Sequence, residues 1–84
     1  MKDKLIEAKE SIGGRSTFIK GTRVRVSDVA RMSSLGQTPE EIEAALPHLT
    51  MQQVLAAIGY WKSHHKVIRI EIDEEDALFA KIKS

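Results

Sequence analysis

Glutamine side chains at the start of a predicted helix are the first candidates for chemistry in this chain. Gln52 and Gln53 come directly after Thr50 and Met51. Glutamine can make a bidentate contact with adenine, worth roughly 1 to 3 kcal/mol against a wrong base. We therefore predict that Thr50, Gln52 and Gln53 contact DNA in a major groove.

Residues 15–31 are the most basic part of the chain, with five basic residues and one acid, Asp28. Such a concentration favours contact with phosphates. The candidate DNA contacts are Arg15, Lys20, Arg23 and Arg25. Arg31 is the fifth basic residue of the stretch. The alternative is a solvated sheet edge that charge protects from aggregation.

Catalysis is not favoured. The chain has no cysteine, and it has neither a phosphate-cradling glycine loop nor carboxylates in a pocket-like pattern. His48, His64 and His65 are the three histidines. The side chains of adjacent helical residues such as His64 and His65 point about 100° apart, so the two histidines are poorly placed to share one metal ion. We expect no catalytic residue, no metal and no cofactor.

Three predicted helices between Ser27 and Lys66 would position the glutamines. Gly36 follows an apolar helical series and predicts the end of the first helix. Thr38 can cap the second helix, with Glu41 as its capping-box partner. Pro47 then ends that helix.

The third helix repeats this device, with Thr50 as its cap and Gln53 as the reciprocal partner. Its apolar residues recur at helical spacing and are predicted to face the core: Met51, Val54, Leu55, Ile58 and Trp61. A short helix, a tight corner and a helix with exposed amides match a helix-turn-helix. A helical core without DNA contact is the alternative, and Glu40, Glu41 and Glu43 on the second helix favour it.

The N-terminal third is predicted to contain a short helix and a β-hairpin. Lys2 to Ser11 has apolar residues at helical spacing, so we expect an N-terminal helical arm over residues 1–14. Residues 17–19 and 22–26 are predicted to form two strands joined by a turn at Lys20-Gly21.

The C-terminal tail, residues 67–84, is predicted to bind a partner or a second copy. Val67 to Ile72 alternates as a half-buried strand, an acidic run Asp73–Asp76 follows, and a short helix ends the chain. The candidate partner contacts are Ile68, Ile70, Ile72, Leu78 and Phe79. The tail could equally fold back on its own domain.

The predicted fold class is α+β, mainly α, with a homeodomain-like three-helix core and a hairpin over residues 15–66. At 84 residues the core is marginal, which favours a homodimer. No apolar run resembles a signal peptide or a membrane span, so we expect a cytoplasmic protein.

Three motifs carry a family resemblance: Lys20-Gly21-Thr22-Arg23, Thr38-Pro39-Glu40-Glu41 and Pro47-His48-Leu49-Thr50. Over about residues 13–62 the chain resembles the domain-of-unknown-function 433 proteins, small helix-turn-helix proteins that include VapB-like antitoxins. The resemblance implies an antitoxin that neutralises a PIN-like ribonuclease toxin and binds operator DNA as a dimer. A protein-interaction module that does not bind DNA is the alternative function.

Overall fold

The backbone runs through one hairpin and four helices. The structure is a computed structural model that describes residues 4–11 and 14–83, with side chains described over 4–10 and 16–80. The elements in chain order are β1 (Ile6–Ser11), β2 (Gly14–Ile19), α1 (Val26–Ser34), α2 (Pro39–Ala45), α3 (Met51–Ser63) and α4 (His65–Lys83). The predicted class, α+β and mainly α, is confirmed.

The predicted N-terminal helical arm is wrong, because residues 6–11 form the strand β1. β1 pairs with β2 in antiparallel register, with Ile6 opposite Ile19, and both isoleucines are buried. The helical spacing that suggested an arm left out Ile6, which the sheet turns into the core. Pairing with another segment overrides a weak local period. Residues 1–3, 12 and 13 of the predicted arm lie outside the described residues.

The turn at Lys20-Gly21 forms, but the second predicted strand does not. Gly21 has a φ of +79°, and the Ile19 N–H donates to the Val24 carbonyl at 2.9 Å. Beyond that, only a single bridge pairs Phe18 with Arg25. The strand stops there because α1 begins at Val26, where Asp28 Oδ2 accepts a hydrogen bond from the Arg25 N–H at 3.0 Å.

The two corners of the predicted three-helix unit form as predicted, whereas the third helix ends at Ser63 and not at Lys66. α1 closes in a Schellman arrangement, in which Gly36, with φ of +91°, donates to the Ser33 carbonyl and Gln37 donates to the Met32 carbonyl. Thr38 caps α2 in a capping box with Glu41. Both corners are therefore set by residues next to them in sequence.

The core lies where α1, α2 and α3 meet the hairpin and the first turns of α4. Its buried apolar residues come from every element: Ile6, Ile19, Val26, Val29, Ala30, Ile42, Leu49, Val54, Ala57 and Ile68. Leu49 and Val54, which lie on either side of the Thr50 cap in sequence, are both buried here.

The predicted C-terminal strand and short helix are wrong, because residues 65–83 form the single helix α4. Alternating isoleucines would share one face of a strand, whereas a helix places Ile68 and Ile72 together and turns Ile70 away. Ile68 is fully buried, Ile72 packs against the core, and Ile70 is 57% exposed. A helix also satisfies its own backbone groups, which a strand without a neighbour could not do.

Gly36 and Gly59 should respond to alanine with opposite signs. An added Cβ meets nothing within 4 Å at either site, so backbone conformation alone decides the outcome. Gly36→Ala should lower the free energy of unfolding by about 1 kcal/mol, because its positive φ disfavours an L side chain. Gly59→Ala, inside α3, should raise it by about 1 kcal/mol. Urea denaturation of both variants measures the two changes, and changes of the same sign would contradict the assignment.

Candidate nucleic-acid interface

At the start of α3, Gln52 is exposed to solvent, whereas Gln53 is partly buried. The Gln53 Oε1 accepts a hydrogen bond from the Thr50 N–H at 2.8 Å, and the Gln53 N–H donates to Thr50 Oγ1 at 3.2 Å. Gln53 therefore serves as a cap, and a bidentate contact with a base would require it to release Thr50. Gln52 is exposed.

The outer face of α3 continues from Gln52 through Leu55, Gly59 and Lys62, all of them exposed. The prediction that Leu55 faces the core is wrong, since it is 50% exposed. Val54 and Ala57 are the buried residues of α3, and Ala56 packs against the core in its place. The face available to a ligand is therefore less polar than the sequence suggested.

The predicted basic contacts fall into different environments. Lys20 and Arg23 are exposed in the turn after β2. Arg25 is half-buried, with its Cζ atom 5.4 Å from the Phe18 ring centroid and its Nε atom 3.9 Å from Glu75 Oε2. Arg15 lies in β2, and its side chain is outside the described residues. Lys20 and Arg23 are thus the described basic candidates that point to solvent.

The α4 helix brings two acids against α1. We name Glu75 and Asp76 the acidic turn. Ser27 Oγ lies 2.8 Å and 3.0 Å from the two carboxylate oxygens of Glu75, to which it donates. Arg31 Nη2 lies 2.8 Å from Asp76 Oδ1 and 3.4 Å from Glu75 Oε1. The hydrogen bond to Asp76 raises the pKa of Arg31 above its ordinary value, so this guanidinium stays charged.

A third carboxylate of α4 binds the hairpin. Glu71 is buried and accepts from the Thr17 N–H at 3.0 Å and from Thr17 Oγ1 at 2.8 Å. Thr17 is itself buried. The Glu71 carboxylate therefore accepts hydrogen bonds from both the backbone N–H and the hydroxyl of Thr17.

Sequence reasoning missed four of the residues that join α4 to the rest of the domain: Thr17, Ser27, Glu71 and Glu75. The available signal was the acidic run facing an oppositely charged stretch. These contacts span 48 to 54 positions, so no local pattern specifies which acid meets which donor.

The predicted partner contacts do not share one surface. Ile68 is buried, Ile72 and Leu78 are half-buried, and Ile70 and Phe79 are exposed. An open groove of about 370 Å³ also lies between α1 and α4, next to their contact. Its lining consists of Arg31, Ser34, Leu35, Arg69 and Ile72, and Leu35 is 82% exposed. Among the five predicted contacts, Ile72 is the one that lines this groove.

Metal and membrane features were searched over residues 4–11 and 14–83. No group of three or more histidine or acidic side chains there is arranged to hold a metal ion. No helix in that part of the chain combines the length and apolar character that crossing a bilayer needs.

Comparison with known proteins gives one family. The model of the protein family of unknown function DUF433 matches residues 6–61, from the first residue of β1 into the last turn of α3. The chain belongs to this family. No curated protein and no solved structure gives a significant match. The match begins earlier than the resemblance traced from residue 13, and α4 lies beyond its end.

Removal of the Glu71 carboxylate should destabilise the fold. Glu71→Ala leaves the buried Thr17 N–H without its acceptor, so the free energy of unfolding should fall by roughly 1 to 3 kcal/mol. Glu74→Ala is the control, because Glu74 is exposed on the same helix, and it should change stability by less than about 0.5 kcal/mol. Urea denaturation measures both, and equal effects would refute the assigned role of Glu71.

Proposed function

We propose that this protein is an antitoxin-type regulator that binds operator DNA, neutralises a PIN-like ribonuclease toxin and has no catalytic activity of its own. The observation that carries the DNA half is the exposed Gln52 at the capped start of α3. The resemblance to VapB-like antitoxins supports the toxin half. A homodimer is the proposed binding unit, since operators read by helix-turn-helix proteins repeat with the two-fold symmetry of the protein.

The start of α3 suits base contact because its position is defined by its own cap. Thr50 and Gln53 close the first turn through two reciprocal hydrogen bonds. Gln52, between them, is exposed and offers both an amide oxygen and an amide nitrogen, the combination that recognises adenine. Lys20 and Arg23 supply exposed positive charge for phosphates.

The acids of α2 restrict how DNA can approach. Glu40 and Glu41 are exposed, and Glu41 Oε1 is held by the Thr38 N–H at 2.8 Å. A carboxylate fixed in a cap cannot turn away from an approaching phosphate. The proposal therefore places the phosphate backbone along the Lys20–Arg23 turn and away from the start of α2.

The DNA half is tested by titration of the wild type and two arginine variants with upstream duplex DNA. Arg23→Ala should weaken binding and reduce the slope of log K against log salt by about one, because one phosphate contact is lost. Arg69→Ala removes an equally charged, exposed residue from α4 and should leave the slope nearly unchanged. Fluorescence anisotropy at two salt concentrations gives both slopes.

Gln52→Ala completes this test, because it should reduce the preference for the operator over random sequence while leaving the salt slope intact. Absence of binding by the wild type at low salt would remove the DNA half of the proposal.

A protein-interaction module without DNA binding is the second candidate, and the exposed apolar side chains favour it. Ile70 on α4 and Leu35 at the end of α1 are 57% and 82% exposed. Isolated exposed apolar residues are common, but the groove lined by Leu35 and Ile72 gives a partner side chain a place to insert. The same surface would serve the toxin contact of the first proposal.

Co-expression with a PIN-like nuclease from a neighbouring gene tests the partner contact. Ile70→Asp should reduce co-purification of the nuclease at least about tenfold, because it places a charge in an apolar contact. Lys66→Asp, at another exposed position of α4, is the control and should retain the partner. If the wild type captures no such nuclease, the toxin half of the proposal is wrong.

A further inference from the structure

Two of the five basic residues between 15 and 31, Arg25 and Arg31, form ion pairs with carboxylates of the same chain. Glu75 lies 3.9 Å from Arg25 Nε and 3.4 Å from Arg31 Nη2, while Asp76 lies 2.8 Å from Arg31 Nη2. The acidic turn therefore neutralises Arg25, which the sequence predicts to contact DNA, and also Arg31.

The Arg31–Asp76 pair lies at the surface of the domain, whereas the Glu75 side chain is 22% exposed and also accepts from Ser27. The Arg31 side chain is 39% exposed, and Asp76 is more exposed still. Pairs in such a position are screened by salt and hold their partners weakly. Another anion can therefore compete with the acidic turn for the two arginines.

The attachment of α4 does not depend on the acidic turn. One helical turn earlier, Glu71 binds Thr17 through two hydrogen bonds, and Ile68 is fully buried in the core. Glu75 and Asp76 can consequently lose their arginine partners while the first half of α4 stays in place.

Carboxylate and phosphate groups bind arginine through the same kind of hydrogen bond. Each offers oxygens that accept charge-assisted hydrogen bonds from a guanidinium, often two at once. A site in which Arg25 and Arg31 hold Glu75 and Asp76 thus has the donors that a phosphate needs.

We propose that the acidic turn is an internal competitor for nucleic acid: Glu75 and Asp76 occupy Arg25 and Arg31, and a phosphate backbone binds these arginines only by displacing them. The inference deepens the proposed DNA binding, on which its biological meaning rests. It adds Arg31 to the phosphate contacts and limits non-specific binding, because a DNA segment must outcompete two resident carboxylates.

The test compares two double variants of the same composition. The turn variant, Glu75→Gln with Asp76→Asn, removes the competitor. The control variant, Asp73→Asn with Glu74→Gln, removes two neighbouring acids that do not contact Arg25 or Arg31 in the described hydrogen bonds and ion pairs. Both raise the net charge by two. In the turn variant the new amide oxygen can still accept from Ser27, so the fold is expected to persist, which circular dichroism checks.

Two polyanions serve as probes, a random-sequence duplex DNA and immobilised heparin. For the turn variant the slope of log K against log salt should steepen by about one to two, and elution from heparin should move to higher salt. The control variant should change less in both measurements. Adding Arg31→Ala should abolish most of the gain in the turn variant and little in the control variant.

The outcomes separate the inference from the proposed function. The competitor proposal would be overturned if the two double variants gained equally in polyanion binding. It would also be overturned if the gain of the turn variant survived Arg31→Ala. If the wild type and all variants fail to bind duplex DNA, the proposed function is wrong, and the heparin elution still decides whether the acidic turn masks the arginines.

Discussion

The buried contact between Glu71 and Thr17 is the interaction on which the arrangement of this chain depends. It joins α4 to the hairpin across 54 positions, and it satisfies a backbone N–H that would otherwise be buried without an acceptor. Burial of a carboxylate is unfavourable unless hydrogen bonds compensate it, so Glu71 and Thr17 each require the other. Because this contact sets the position of α4, it also decides which acids reach the start of α1 one turn later.

That placement changes the electrostatics of the domain. A net charge of +1 conceals a basic stretch at residues 15–31 and an acidic run at residues 73–76, which α4 brings together. Arg25 and Arg31 are partly neutralised, while Lys20 and Arg23 remain exposed. Within residues 16–31 the exposed positive charge is therefore smaller than a charge count along the sequence implies, and it lies in the turn after β2.

The family match and the fold divide the chain at nearly the same place. Residues 6–61, which belong to the DUF433 family, contain the hairpin and the three helices, whereas α4 starts at His65. α4 nevertheless contributes Ile68 to the common core and exposes Ile70 on its other side. One helix thus completes the fold, modulates the basic surface and presents apolar side chains, which is why both proposed activities involve it.

The sequence by itself determined the features whose causes are local. Gly36, Thr38, Thr50 and Gln53 mark helix ends through contacts with residues three positions away, Pro39 does so through its fixed φ, and the structure has those ends. The N-terminal strand, the helical state of residues 67–72 and the exposure of Leu55 were settled only by tertiary structure. In these segments the local pattern allowed two answers, and packing against residues distant in sequence selected between them. The partners of Arg25 and Arg31 belong to the same class, because an ion pair depends on distance in space and leaves no periodic signal along the chain.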